Sequence, residues 1–423
     1  MLTRAEKSWI LYDVGNSAYS LIVVTAILPI YFKATVAPDL APADSTAYWG
    51  YANGLAALIL ALISPLIGTL ADCAGMKKRL FALFFAVGVA TTALLALPGP
   101  GGWLVCLLLF VISRIGWGGS SLFYDSFLCD VSPHDRMHDV SSRGYAYGYI
   151  GSTLPFVAIL AWVFLSAADG IPAPIAQASF VLSALWWALF TLPMLRHVEQ
   201  RHARPAGPHP LRDSLRQLVR TMREAALHRN AFLFLLAYFF YIDGVDTVIA
   251  MAAAYGIDAG LGAATLAGAI LMIQIVAFPC ALLYGRYAAR HAARPLIFLA
   301  IAVYLLITLI AFFLPDVTDA ELRAGLFWLL SFLVATSMGG IQALSRSLFA
   351  RLIPPDRSAE FFGLYNIMGR LAAILGPFLM GLVGSLAGHS RWGTIPLALL
   401  FIAGALLLRL IKEPVSITNE MSA

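Results

Sequence analysis

The chain has 423 residues, of which 60% are hydrophobic and only 12% charged, with a formal net charge of +5 and a mean hydropathy of +0.82. Soluble domains carry roughly 25% charged residues, so this composition excludes a water-soluble globular protein and points to a chain solvated largely by lipid. Its four cysteines (Cys73, Cys106, Cys129, Cys280) sit in or beside apolar runs with no metal-ligand spacing, which argues against a disulfide framework and a zinc site.

The first apolar run, 9–32, carries Asp13 and Asn16 and is far longer than the roughly 7–15-residue core of a signal peptide, so it is expected to be a retained membrane helix. Further runs long enough to cross a bilayer fall at 47–70, 80–97, 103–128, 140–165 and 175–195. A second set follows at 231–255, 261–283, 295–314, 324–349, 360–387 and 392–411. The expectation is an all-α membrane protein of twelve transmembrane helices, with one bundle over 1–195, a basic linker over 196–229 and a second bundle over 230–423. In the linker, Leu211, Leu215, Leu218 and Met222 recur at helical spacing among eight arginines, including Arg201, Arg204, Arg212 and Arg223. That pattern predicts an amphipathic helix on the membrane surface rather than a nucleic-acid site.

The two sets are related by a repeat. Gly118–Arg136 returns at Gly339–Arg357 with a constant offset of 221 positions, and six identities fall in register: Gly118, Gly119, Ser126, Pro133, Asp135 and Arg136 with their counterparts. Duplicated apolar halves are the mark of a transporter built from two pseudo-symmetric six-helix bundles. Of the 28 Lys and Arg, Lys33, Arg323 and Arg391 lie on one side and Arg114 and Arg370 lie within spans. All the others fall on the opposite side, which the positive-inside bias makes cytoplasmic, together with both termini.

The loop after the second run reads GTLADCAGMKKR, from Gly68 to Arg79. It resembles the G-x-x-x-D-x-x-G-[RK] loop of the major facilitator superfamily. That resemblance implies a gating latch made by Gly68, Asp72, Gly75, Lys77 and Arg79. The matching loop of the second half, Gly285–Arg294, has Ala289 and Ala292 where the aspartate and second glycine would stand. Arg114-Ile-Gly-Trp-Gly118 is similar to the superfamily's R-x-x-x-G motif, associated with proton coupling. Three further segments resemble the vacuole effluxer-like family: Tyr12-Asp13-Val-Gly-Asn16-Ser17-Ala18-Tyr19, Tyr241-Ile-Asp243-Gly244-Val-Asp246-Thr247, and Gly339 through Arg370. The chain departs from that pattern at Val14, where tryptophan is usual, and at Ile242 and Asp246, near the usual amides. Fungal members export amino acids from the vacuole, so the resemblance implies a bacterial member that moves an amino acid or similar zwitterion.

An ionisable group inside a bilayer costs about 2.5–3.5 kcal/mol on insertion scales, so each calls for a reason. Arg114, Asp243 and Arg370 come near mid-span, and Asp246 lies one turn beyond Asp243. The superfamily arrangement, in which spans one, four, seven and ten line a cavity, implies that Asn16, Arg114, Asp243 and Asp246 meet solute or proton. Tyr241, Gln274 and Arg370 are further candidates. The alternative is that the arginines neutralise the aspartates and hold helices together. Asp13 is expected to be a bundle contact, and Asp125 and Arg346 an inter-helix charge contact.

The leading function is therefore a proton-coupled secondary transporter of a small polar solute, monomeric and set among membrane lipids in a bacterial inner membrane. A lipid or drug exporter is the alternative. A membrane enzyme is disfavoured, because His134, His138 and Asp139 lack metal spacing and a third ligand. No G-x-x-x-x-G-K-[ST] loop occurs, which argues against direct ATP drive, and neither cofactor, metal nor nucleic acid is expected.

Overall fold

The computed structural model describes residues 2–166, 170–205, 216–217, 219–220, 228–258, 263–387 and 390–412. Among these residues it is helical throughout its ordered elements, with twelve long helices: α1 (Arg4–Val36), α2 (Pro42–Ala74), α3 (Lys77–Leu94), α4 (Trp103–Val131, with a break near Phe127), α5 (Met137–Leu165) and α6 (Ala173–His197). The second set comprises α7 (Arg229–Asp258), α8 (Ala263–Arg290), α9 (Ala293–Phe313), α10 (Ala320–Leu352), α11 (Ser358–Leu386) and α12 (Thr394–Arg409). Eleven of them are long and apolar enough to cross a membrane; the exception, α3, opens on Lys77, Lys78 and Arg79. The linker helix expected over Leu211–Met222 lies outside the described residues.

Several helices extend beyond their apolar runs because the run marks only the hydrocarbon-facing part, whereas caps decide the ends. At α1, Thr3 accepts from the Glu6 N–H while Glu6 accepts from the Thr3 N–H, a reciprocal capping box that starts the helix ahead of its apolar run. Helix α3 shows the opposite shift, ending at Leu94 although apolar sequence continues to Leu97, because Pro98 disfavours helical backbone before it. Within α1 the ladder widens to π-helix over Tyr19–Ile27, beginning three residues after Asn16, and Thr25 donates to the Ser20 carbonyl at 3.0 Å. Such widened turns are frequent at functional sites.

The described residues form two compact units. The first draws on Met1–Val131, Tyr147–Leu218 and Pro355–Gly363; the second on Ser132–Ala146, Val219–Pro354 and Leu364–Ala423. Each unit thus borrows a short helix start, of α11 or α5, from the other half of the sequence. Within the first unit α1 packs on α6, α2 on α4, and α3 on both α4 and α6. Within the second, α7 packs on α12, α8 on α10, and α9 on both α10 and α12. The pairing is the same after a shift of six helices, so the sequence repeat is a repeat of packing. Large apolar side chains such as Leu62, Leu83 and Leu399 point outward, as a lipid-facing surface requires.

Candidate transport site and gating latch

In the first unit, α4 carries Arg114 eleven residues in from Trp103, about 17 Å along the helix axis and so near the middle of a roughly 30 Å hydrocarbon layer. Its guanidinium lies over the ring of Trp117, one turn on, at 5.2 Å from the centroid. Among the described residues the half-buried Arg114 has no ion-pair or hydrogen-bond partner. Trp117 also donates its indole N–H to the Asn16 carbonyl at 3.4 Å. The Asn16 side-chain oxygen accepts from the Tyr12 and Ser121 hydroxyls, each at 3.3 Å. The structure therefore brings Asn16, Trp117 and Arg114 into one polar patch where α1 meets α4. Asp13 sits apart from it, accepting from the Tyr124 hydroxyl at 2.8 Å inside a stack of Trp9, Tyr12 and Tyr124. That is a packing contact between α1 and α4.

In the second unit, Asp243 is fully buried on α7 and its Oδ1 accepts the backbone N–H of Gly376 on α11 at 2.7 Å. The Thr247 hydroxyl, buried one turn along α7, is the other polar neighbour of the carboxylate. Glycine is needed at 376 because a Cβ there would run into the Thr247 hydroxyl and the Asp243 carboxylate. Pro377 follows and supplies no N–H, so α11 offers its polar backbone to α7 where its own ladder is interrupted. Asp246 is half-buried one turn from Asp243 and makes no ion pair with a described residue. Tyr241 is placed differently, its hydroxyl 2.6 Å from Ser345 on α10 in a packed core. Gln274 and Arg370 are half-buried on α8 and α11. Arg346 donates to the Ser141 hydroxyl and carbonyl and lies over Tyr145, joining α10 to the start of α5.

The latch residues converge in the first unit. Gly75 closes α2 in the left-handed region at φ +62°, returning its N–H to Ala71, and this turn starts α3 at Lys77. Gly68 lets α2 approach the start of α11, where a Cβ would meet the backbone of Ala359 and Glu360. Asp72 Oδ2 accepts the Glu360 N–H at 2.8 Å, an anion at the positive end of α11. Lys77 is fully buried, with its ammonium 2.8 Å from Asp130 Oδ2, 2.8 Å from the Ser358 hydroxyl and 3.8 Å from Asp72. Arg79 is exposed and has no partner among the described residues.

Asp130 was not among the residues expected from the sequence. Its Oδ1 accepts the backbone N–H groups of Arg201 and His202, each at 2.9 Å, so the linker straps across the latch. Arg204 extends the strap, donating its N–H to the Asp72 carbonyl at 2.8 Å and pairing with Asp356 at 2.7 Å. The available signal was charge inversion in the repeat, because Asp130 corresponds to Arg351. Arg351 meets His138 at 2.7 Å in the second unit. In the loop before α5, burial first and Arg351 second hold the His134 imidazole below its ordinary value, against the pull of Asp135. Among the described residues no group of three His, Cys, Asp or Glu side chains could hold a metal.

The family described as "Vacuole effluxer Atg22 like" matches residues 3–138 and 130–419. The chain belongs to that family. This Atg22-like chain is 44% identical to the MFS-type transporter YxiO of Bacillus subtilis (strain 168), over 98% of this chain and 96% of that one. It is 25% identical to autophagy-related protein 22 of Saccharomyces cerevisiae (strain S288c) over 60% of its own length and 53% of the yeast protein's. Among solved structures it is similar to the human organic anion transporter MFSD10, with a TM-score of 0.73 at 16% identity, covering 96% of this chain and 99% of that one. The proton:xylose symporter XylE gives a TM-score of 0.69 at 14% identity, with 97% and 95% covered. At such identities the likeness establishes the fold, the twelve-helix major facilitator fold. The Atg22-like chain is a multi-pass membrane transport protein and not an enzyme.

Proposed function

We propose that this protein moves a small zwitterion, such as an amino acid, across a bacterial inner membrane by alternating access coupled to protons. The observation that carries the reading is Arg114, a half-buried guanidinium at mid-helix depth with no anionic partner among the described residues. A cation in that position is costly unless an anion joins it, and a solute carboxylate is an anion that comes and goes. Trp117 holds the guanidinium plane, and Asn16 joins the same patch through its carbonyl, bonded to the Trp117 indole. Asp243 complements this in the second unit, a buried acid seated on the Gly376 amide with the Thr247 hydroxyl beside it, placed to take and give a proton. Support from the family is of the same kind, since its description is that of an effluxer. The excess of Lys and Arg on one side favours cytoplasmic termini, and the protein works as a monomer.

The test is uptake of labelled amino acids by proteoliposomes under an imposed pH gradient. Wild-type protein accumulates at least one of them, and Arg114→Gln loses that accumulation while remaining monodisperse in detergent. Transport of apolar cations or lipids that is indifferent to Arg114→Gln overturns the zwitterion reading in favour of a drug or lipid exporter.

A further inference from the structure

Helices α9 and α12 run side by side, and between them lies a groove of about 560 Å³. Phe298 and Leu305 of α9 and Ile402 and Leu406 of α12 form its apolar walls, and Arg294 and Arg409 stand in it as well. Arg294 is the second residue of α9 and Arg409 the last of α12, so both cations sit at the same end of this antiparallel pair. From Arg294 to Leu305 is eleven residues, about 17 Å of helix, close to the depth of one leaflet of a roughly 30 Å hydrocarbon layer. The groove therefore has the length of one acyl chain and two guanidinium groups at its membrane-surface end.

The repeat explains why positive charge collects there. Lys77 in the first unit lies between Asp72 and Asp130, whereas Arg294, its counterpart, belongs to a half with Ala289 and Arg351 at those positions. Arg294 donates to the Ile411 carbonyl at 2.6 Å, which holds it beside the end of α12, and Arg409 is exposed. The positive end of α9 lies beside the negative end of α12, so the two guanidinium groups rather than the helix dipoles supply the field. We infer that the α9–α12 groove is a binding site for an anionic phospholipid, its phosphate held by Arg294 and Arg409 and one acyl chain laid along Phe298, Leu305, Ile402 and Leu406. A zwitterionic lipid fills the apolar part equally well, but its ammonium is repelled by the paired arginines, so selectivity comes from the headgroup.

The experiment is native mass spectrometry of the full-length protein in detergent, with dioleoyl phosphatidylglycerol and dioleoyl phosphatidylethanolamine as competing probes. Wild-type protein retains phosphatidylglycerol preferentially, and glycerol phosphate at the same concentration does not displace it. Arg409→Gln, at an exposed position that leaves folding intact, lowers retention about fivefold, and Arg409→Lys restores most of it. Ala405→Trp, which fills the groove without touching charge, removes retention of both lipids. Equal retention of the two lipids by wild-type protein, or unchanged phosphatidylglycerol retention in Arg409→Gln, overturns the assignment. Neither outcome bears on Arg114 or on solute transport.

Discussion

Asp72 on α2 and Glu360 on α11 meet through one hydrogen bond, the Glu360 backbone N–H donating to Asp72 Oδ2 at 2.8 Å in a fully buried setting. They are 288 positions apart in the chain. The contact uses a side-chain anion against the first turn of a helix, where amides lack intrahelical partners and the dipole favours negative charge. Glu360 itself is turned to Arg357, which grips both of its carboxylate oxygens at 2.9 and 3.0 Å. The acid of α11 is thereby neutralised locally, and its amide is left to Asp72. The equivalent place in the other half holds Ala289, so this latch is built once.

Asp72→Asn keeps an acceptor for the Glu360 N–H but removes the charge that favours it. The loss is about 1 kcal/mol, or roughly fivefold in the population with this contact released. Labelling a cysteine placed at the buried Ala359 in a cysteine-free background checks it. The maleimide reaction is expected to speed up by about that factor in Asp72→Asn, and equal rates in mutant and parent would count against a latch.

Lys77 and Asp130 form a fully buried pair, and Asp130 also receives the linker through Arg201 and His202. Asp130→Ala leaves the buried Lys77 ammonium with only the more distant Asp72, at 3.8 Å, which costs about 3 kcal/mol. A fall of several degrees in thermal unfolding midpoint is expected, together with faster proteolysis between Arg201 and Arg204. Replacing both partners, Lys77→Met with Asp130→Leu, is expected to recover most of the midpoint but not the protection of the linker. Protection that survives in the double variant would show that the strap does not depend on Asp130.

The contrast between Lys77 and Arg79 shows how far the sequence carries. Eleven of the helices were legible because each spanning helix needs about twenty apolar residues, and the latch loop because its glycines and charges stand at fixed spacing. Which basic residue turns inward was not legible from spacing alone. It depends on where Gly75 ends α2 and starts α3, since Arg79 follows Lys77 by two residues, about 200° around the helix, and faces out. Asp130 was hidden because its partners come from a distant helix start and from linker backbone. The Gly376 amide was hidden for the same reason: a backbone donor leaves no signature beyond the Gly-Pro pair that exposes it. Asp243 and Arg114 were legible as charges in apolar runs, but not the absence of an ion pair to either among the described residues.

Gly376→Ala tests the seat of Asp243 without altering any titratable group. The added methyl overlaps the Thr247 hydroxyl and the Asp243 carboxylate, so the carboxylate must leave the α11 amide. Helix propensity at this position improves by up to about 1 kcal/mol, so unfolding of α11 is not the expected outcome. Accumulation driven by a pH gradient is expected to fall at least tenfold while expression and monodispersity persist. Accumulation at the parent rate would show that the hydrogen bond between Asp243 and Gly376 has no part in coupling.

Asp243→Asn separates the two roles that a buried acid can play in a transporter. Asparagine is nearly isosteric and still presents an oxygen to the Gly376 N–H, so the contact between α7 and α11 persists. What is lost is the ability to change charge. If Asp243 carries the proton, counterflow exchange of solute continues in proteoliposomes while uphill accumulation under a pH gradient disappears. The contacts of the carboxylate, the Gly376 amide and the Thr247 hydroxyl, are both neutral, which favours this outcome, because a proton taken up there breaks no ion pair. If both exchange and accumulation vanish, the acid holds the solute's ammonium instead. Asp246→Asn supplies the control: it lies one turn away and half-buried, so a proton held jointly predicts partial loss of accumulation in that variant with exchange intact. Wild-type rates of both processes in Asp243→Asn would reduce this residue to a helix contact and leave Arg114 and Asn16 as the groups on which transport depends.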